Sequence, residues 1–222
     1  MDYNEKADVS QPGSPVVFDG KPVIKFRTEH ARRNFIKTAA IIGAGSSLVA
    51  AARHDPIAFA DDKTDDLKIL NYALTLEYLE AEFYTKGIKG GVLKGRELEL
   101  VSPIRDHEDE HVTALTKTIK SLGGKPASRP TFVFPSGTFT DRKKFLTTAS
   151  AFEELGVTAY QGQVARVKSG DILAAAASIA GVESRHAAVL ADLLGTNPFP
   201  APFEKHADMD TVLKAAGNFI KS

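Results

Sequence analysis

Leu70-Asn-Tyr-Ala-Leu74-Thr-Leu-Glu77-Tyr-Leu-Glu80-Ala81-Glu-Phe-Tyr84 sets a carboxylate in the middle of an apolar stripe. Leu67, Leu70, Leu74, Glu77, Ala81 and Tyr84 recur at steps of three and four, the period of one helix face. Tyr84 lies seven residues after Glu77, and Glu108-Asp-Glu-His111 follows. The pattern then repeats as Glu153, Tyr160 seven residues on, and Glu183-Ser-Arg-His186. The step from the first Glu to the second is 31 residues in one copy (108 − 77) and 30 in the other (183 − 153).

Each of these polar residues interrupts an apolar stripe. Glu108 and His111 fall between Ile104 and Leu115, Glu153 between Ala149 and Gly156, and Glu183 and His186 between Ile179 and Leu190. A buried carboxylate is costly unless it is paired, protonated or bound to metal. Four at one level would repel strongly, and two divalent cations would cancel that charge. Residues three apart share a helix face, so each Glu-x-x-His pair can serve one metal. The expected ligands are therefore Glu77, Glu108, His111, Glu153, Glu183 and His186, around two metal ions, and such oxygen and imidazole donors suit iron, manganese or zinc. Glu80 and Glu154 compete with Glu77 and Glu153, and stripe phase favours the latter pair. Tyr84 and Tyr160, two turns along, could hydrogen-bond ligand carboxylates or supply an electron, and Gly156 and Ala81 leave room. Glu80, Glu82 and Glu154 read as surface groups or as groups behind the ligands.

The stripes predict four long helices. The first runs from about Asp65 to Lys86 and is stopped by Gly87, Gly90 and Gly91. The second starts at Ser102-Pro103, a cap followed by a first-turn proline, and stops at Gly123-Gly124; a start near Leu93 would instead put Pro103 at a kink. The third spans about Arg142–Lys168, and the fourth follows the capping cluster Ser169-Gly170-Asp171 and ends at Gly195. Residues 125–141, rich in Pro, Ser, Thr and Gly, form a strap long enough to cross the bundle, pinned by Phe132 and Phe134. The segment Asn197–Phe203 carries too much proline for a helix, and a short amphipathic segment follows over about 208–220. The fold class is all-α, a four-helix bundle with one long crossover between helices 2 and 3.

Composition narrows the chemistry. The 28 basic and 28 acidic residues balance, which gives no sign of a nucleic-acid groove. With no cysteine, disulfides, thiolate metal sites, iron–sulfur clusters and thiol nucleophiles are excluded, and any metal is held by oxygen and imidazole nitrogen.

At the Glu, Tyr and Glu-x-x-His positions the chain resembles the ferritin-like superfamily. Leu70-Asn71 through Leu74-Thr75 to Glu77, with Tyr84, is similar to the first helix of bacterioferritins and rubrerythrins. Residues 62–222 as a whole resemble exported ferritin-like proteins, a group that includes desiccation-related proteins. The resemblance implies that Glu108 and Glu183 bridge two metals, that His111 and His186 are terminal ligands, and that Glu77 and Glu153 complete the set. It implies redox chemistry on Fe(II), dioxygen or peroxide, either ferroxidase-like or manganese-catalase-like. The alternative it carries is a stress-protective binding protein whose metal site is structural or vestigial. Without cysteine there is no rubredoxin-type electron-transfer module. A homo-oligomer is open, whereas the strap and proline-rich tail argue against a storage cage.

Residues 1–60 read as an address. Arg32-Arg33-Asn34-Phe35-Ile36-Lys37 opens an apolar run from Thr38 to Ala52, and Ala58-Phe59-Ala60 supplies a small-residue cleavage pattern. This resembles a twin-arginine export signal, which implies passage through the twin-arginine translocase to the periplasm or another extracytoplasmic space. The run is 15 residues, short of the roughly 20 a bilayer span needs. Cleavage after Ala60 would leave a domain of residues 61–222 with 20 basic and 22 acidic residues, a net charge of −2.

Overall fold

The structure is a computed structural model that describes residues 62–221; the export pattern and the cleavage position expected over 1–60 lie outside the described residues. Among the described residues five helices follow in order: α1 (Asp62–Gly90), α2 (Arg96–Ser121), α3 (Arg142–Gln163), α4 (Gly170–Leu193) and α5 (Met209–Gly217). α1 packs chiefly on α2, and α3 on α4. The first four form the expected bundle, and residues 122–141 are its one long crossover. Among the described residues no helix is long and apolar enough to cross a membrane.

Three boundaries differ from the first expectation. α2 begins at Arg96, close to the alternative start near Leu93, so Pro103 lies inside the helix instead of opening it. The added turns bury Val101 completely and pack Leu98 against the core, and that burial outweighs the hydrogen bond the proline ring removes. α1 continues through Gly87 to Gly90, and the left-handed Gly91 (φ 67°) ends it. Gly87 is a site of close approach, not a stop: a Cβ there would lie 2.0 Å from Phe145 Cε2. α3 stops at Gln163, before the expected Lys168. The buried carboxylate of Asp66 accepts the amides of Lys168 at 2.7 Å and Ser169 at 2.8 Å, which holds the turn that launches α4. Ser169 then caps α4 as expected.

An aromatic knot closes the end of the bundle near the crossover. Phe83 stacks on Phe145 at 4.8 Å between ring centroids and meets Phe152 edge-on at 5.0 Å. Phe132 is buried and Phe134 packs on Phe83 at 5.7 Å, so the strap's aromatics pin it to the bundle as expected. Each such ring contributes about 1.5–3 kcal/mol by leaving water. The strap also pairs with backbone beyond α5: Val133 donates its amide to Phe219 O at 2.8 Å, and Lys221 to Thr131 O at 2.9 Å. α5 packs on α3 and buries Val212 and Ala216.

Candidate metal centre

The helical stripes deliver all six expected ligands to one layer. Glu77 comes from α1, Glu108 and His111 from α2, Glu153 from α3, and Glu183 and His186 from α4. The four carboxylates are wholly buried and the two imidazoles nearly so. They form two groups whose ligand atoms lie within 4.8 Å of one another: Glu77, Glu108, His111 and Glu183, and Glu108, Glu153, Glu183 and His186. Glu108 and Glu183 belong to both.

Both imidazoles turn Nδ1 inward. His111 Nδ1 lies 3.1 Å from Glu77 Oε2, 3.1 Å from Glu108 Oε2 and 3.2 Å from Glu183 Oε1. His186 Nδ1 lies 3.1 Å from both Glu153 Oε2 and Glu108 Oε1. A ring nitrogen carries at most one proton, so it cannot satisfy two or three carboxylates. Glu108 Oε1 and both oxygens of Glu183 in fact accept no hydrogen bond, because the nearby imidazoles stand at ion-pair distance with the wrong alignment. The unsatisfied acceptors are thus those of the two shared carboxylates, which is the donor set a pair of divalent cations would complete.

Protons do the balancing in the protein alone. Burial and the facing Glu183 push Glu108 up to about 8, and burial with the neighbouring Glu153 charge holds Glu183 well above the ordinary range. Burial works upward on Glu77 too, but the His111 hydrogen bond and charge outweigh it and leave Glu77 lowered. Burial works downward on the imidazoles, yet the carboxylates they bond raise His111 to about 12 and His186 to about 10.

The tyrosines hydrogen-bond ligands, but across the bundle. Tyr84 on α1 donates to Glu153 Oε1 on α3, and Tyr160 on α3 donates to Glu77 Oε1 on α1. Gly156 provides room as expected: a Cβ there would sit 2.9 Å from Glu183 Oε2 and 3.3 Å from Glu80 Oε1.

Two further residues belong to the centre. Glu80 is buried, with its charge opposed by Glu183, Glu153, Glu108 and Glu77. It is not a surface group; its Oε1 and Glu183 Oε2 both border the space beside Gly156, and its i, i+3 relation to Glu77 was the readable sign. His107 sits at the surface, stacked on His186, with Nδ1 2.9 Å from His186 Nε2. When Nδ1 of His186 faces a metal, Nε2 carries the proton and donates to His107. Nothing in the sequence around His107 marked this, because its partner comes from α4.

Residues 65–196, more than half of the chain, match the ferritin-like domain family. The chain belongs to that family. No curated protein matches it. Among solved structures, this ferritin-like domain is similar to a ferritin-like, diiron-carboxylate protein from Bacillus anthracis str. Ames. The identity is 22% and the TM-score 0.50, over 61% of this chain and 99% of that one. At that identity the likeness supports the fold, while the case for a dinuclear site rests on the Glu/His layer itself.

Proposed function

We propose that this ferritin-like domain holds two iron or two manganese ions and carries out redox chemistry on Fe(II), dioxygen or peroxide. The observation behind it is the sharing of Glu108 and Glu183 between both Glu/His groups. When bound, such a pair supplies electrons in steps and can hold a small oxidant from two sides. Glu77 with His111, and Glu153 with His186, would each complete one metal's shell. Tyr84 and Tyr160 would orient the terminal carboxylates through their hydroxyl protons. Leu74, one turn before Glu77, and Leu190, one turn after His186, are fully buried.

Elemental analysis of the folded protein, with Fe(II)-oxidation and peroxide-consumption assays, tests the reading. The expected result is two metal ions per chain, turnover in one assay, and loss of both in Glu108→Ala. Activity that survives metal loss would sink it, and a metal-bound but inert protein would favour the protective binding role. Export through the twin-arginine translocase is part of the same proposal and rests on Arg32–Ala60. Fractionation of the host, with N-terminal sequencing of the exported form, tests that part on its own.

A further inference from the structure

Beside the Glu/His layer the bundle encloses a cavity of about 60 Å³. Ala73 of α1, Leu115 of α2, Tyr160 of α3 and Ile179 of α4 all wall it. Ala73 precedes Glu77 by one turn, Leu115 follows His111 by one turn, and Ile179 precedes Glu183 by one turn. The cavity is therefore the next layer of the bundle. Tyr160 belongs to both layers, lining the cavity while its hydroxyl donates to Glu77. α2 touches α4 far less than α1 touches α2 or α3 touches α4, and the exposed Ala114 and Ala175 line the cavity along that loose seam. It therefore opens to the surface between α2 and α4.

The wall decides what can enter. Among the described residues no charged side chain lines it. Its polar side chains are engaged or sealed away: Thr118 donates to Ala114 O and Tyr160 to Glu77, while the Tyr72 hydroxyl and the Gln163 carboxamide are buried out of reach of the open space. The cavity thus offers an occupant no hydrogen bond. Moving one hydroxyl from water into such a place costs roughly 1–3 kcal/mol, and hydrogen peroxide carries two. An ion costs far more. Apolar cavities stay dry for this reason and take up uncharged apolar guests such as xenon. One water needs roughly 10–15 Å³ of such space. About 60 Å³ therefore has room for a diatomic gas.

We propose that this cavity binds dioxygen one helical turn from the ligand layer, and that dioxygen, not peroxide, is the oxidant of the redox chemistry proposed above. The binding site stands on the cavity, whereas the choice of oxidant rests on the metal reading. Dioxygen has no charge and no proton to donate, and it dissolves better in hydrocarbon than in water. The overall change balances with Fe(II) as reductant: two Fe(II) become Fe(III), and dioxygen takes the two electrons with two solvent protons and leaves as hydrogen peroxide. That product finds no partner in the cavity, so it does not hold the space against the next dioxygen.

The test uses the metal-free full chain under dioxygen pressure. Dioxygen is paramagnetic and speeds the nuclear relaxation of any methyl group beside it. The methyls of Ala73 and Leu115 are expected to relax severalfold faster than those of Ala187 and Ile104, which are similarly buried but do not line the cavity. Ala176→Phe puts a ring into the space and should remove the excess. If that variant does not fold, the comparison of methyls within the parent decides alone. In iron-loaded protein, dioxygen should oxidise Fe(II) faster than equimolar hydrogen peroxide, and Ala176→Phe should slow the dioxygen reaction only. The site is overturned if the cavity methyls relax no faster than Ala187 and Ile104, or keep their excess in folded Ala176→Phe. Peroxide reacting as fast as dioxygen overturns the choice of oxidant. Iron-loaded protein inert to both oxidants, with the methyl excess intact, would sink the redox reading and leave the dioxygen site standing.

Discussion

The hydroxyl of Tyr84 donates to Glu153 of α3, not to Glu77 on its own helix. Tyr160 returns the bond, from α3 to Glu77 of α1. Each copy of the repeat thus braces the carboxylate of the other. Tyr84→Phe should weaken metal binding about 10- to 100-fold at the position held by Glu153 and His186, and Tyr160→Phe should do so at the position held by Glu77 and His111. Calorimetric titration resolving two binding events checks this. Equal weakening of both events by either change would mean that the bracing is shared across the layer.

His107 offers a second lever that touches no expected ligand carboxylate. Replacing it with alanine removes the acceptor for His186 Nε2 while leaving the core intact. Metal affinity should fall about tenfold or more with little change in melting temperature. Unchanged affinity would reduce His107 to a surface residue.

Gly156→Ala separates folding from metal binding. Alanine favours the helix by about 1 kcal/mol over glycine. Its Cβ, however, meets Glu183 Oε2 at 2.9 Å and must push that carboxylate aside. The expected outcome is a metal-free protein at least as stable as the parent, with reduced metal stoichiometry. Circular dichroism melts paired with elemental analysis would show the split, and full metal content would contradict it.

Acidity should act oppositely on the two forms. Glu108 is raised from 4.5 to about 8, so the folded state holds its proton more tightly than the unfolded chain does. That stability is full below about pH 4.5 and is lost as pH climbs to about 8. Glu183 and Glu80, both raised, have the same sign. So do His186 and His111, whose contributions fade from 6.5 upward. Glu77 alone in the layer, being lowered, opposes them. Metal ions compete for the same atoms and bind better as protons leave. The melting temperature of metal-free protein should drop from about pH 5 to about pH 8, while the gap between it and the loaded form widens. A metal-free protein that gains stability over that range would rule out a layer held by protons.

How much of this was readable in advance follows from the reach of each interaction. The six-residue layer was legible because polar residues in phase with a buried stripe reveal which way they face, as Glu183 and His186 do between Ile179 and Leu190. The end of α1 was not, and the start of α2 was legible only as two alternatives. Gly87 is set by Phe145, which does not show in the local sequence, and the choice between the two readable starts of α2 is set by the burial of Leu98 and Val101. Glu80 was half legible, since its spacing from Glu77 was plain but its burial among four other carboxylates was not. The exchange of tyrosine bonds needed the actual placement of α1 against α3.

The backbone ties from Thr131 and Val133 to Phe219 and Lys221 carry a temporal consequence. The crossover emerges during synthesis long before the residues that clasp it. A nascent chain could therefore line up its Glu and His residues while its belt still hangs unfastened, and only Phe219 and Lys221 buckle it.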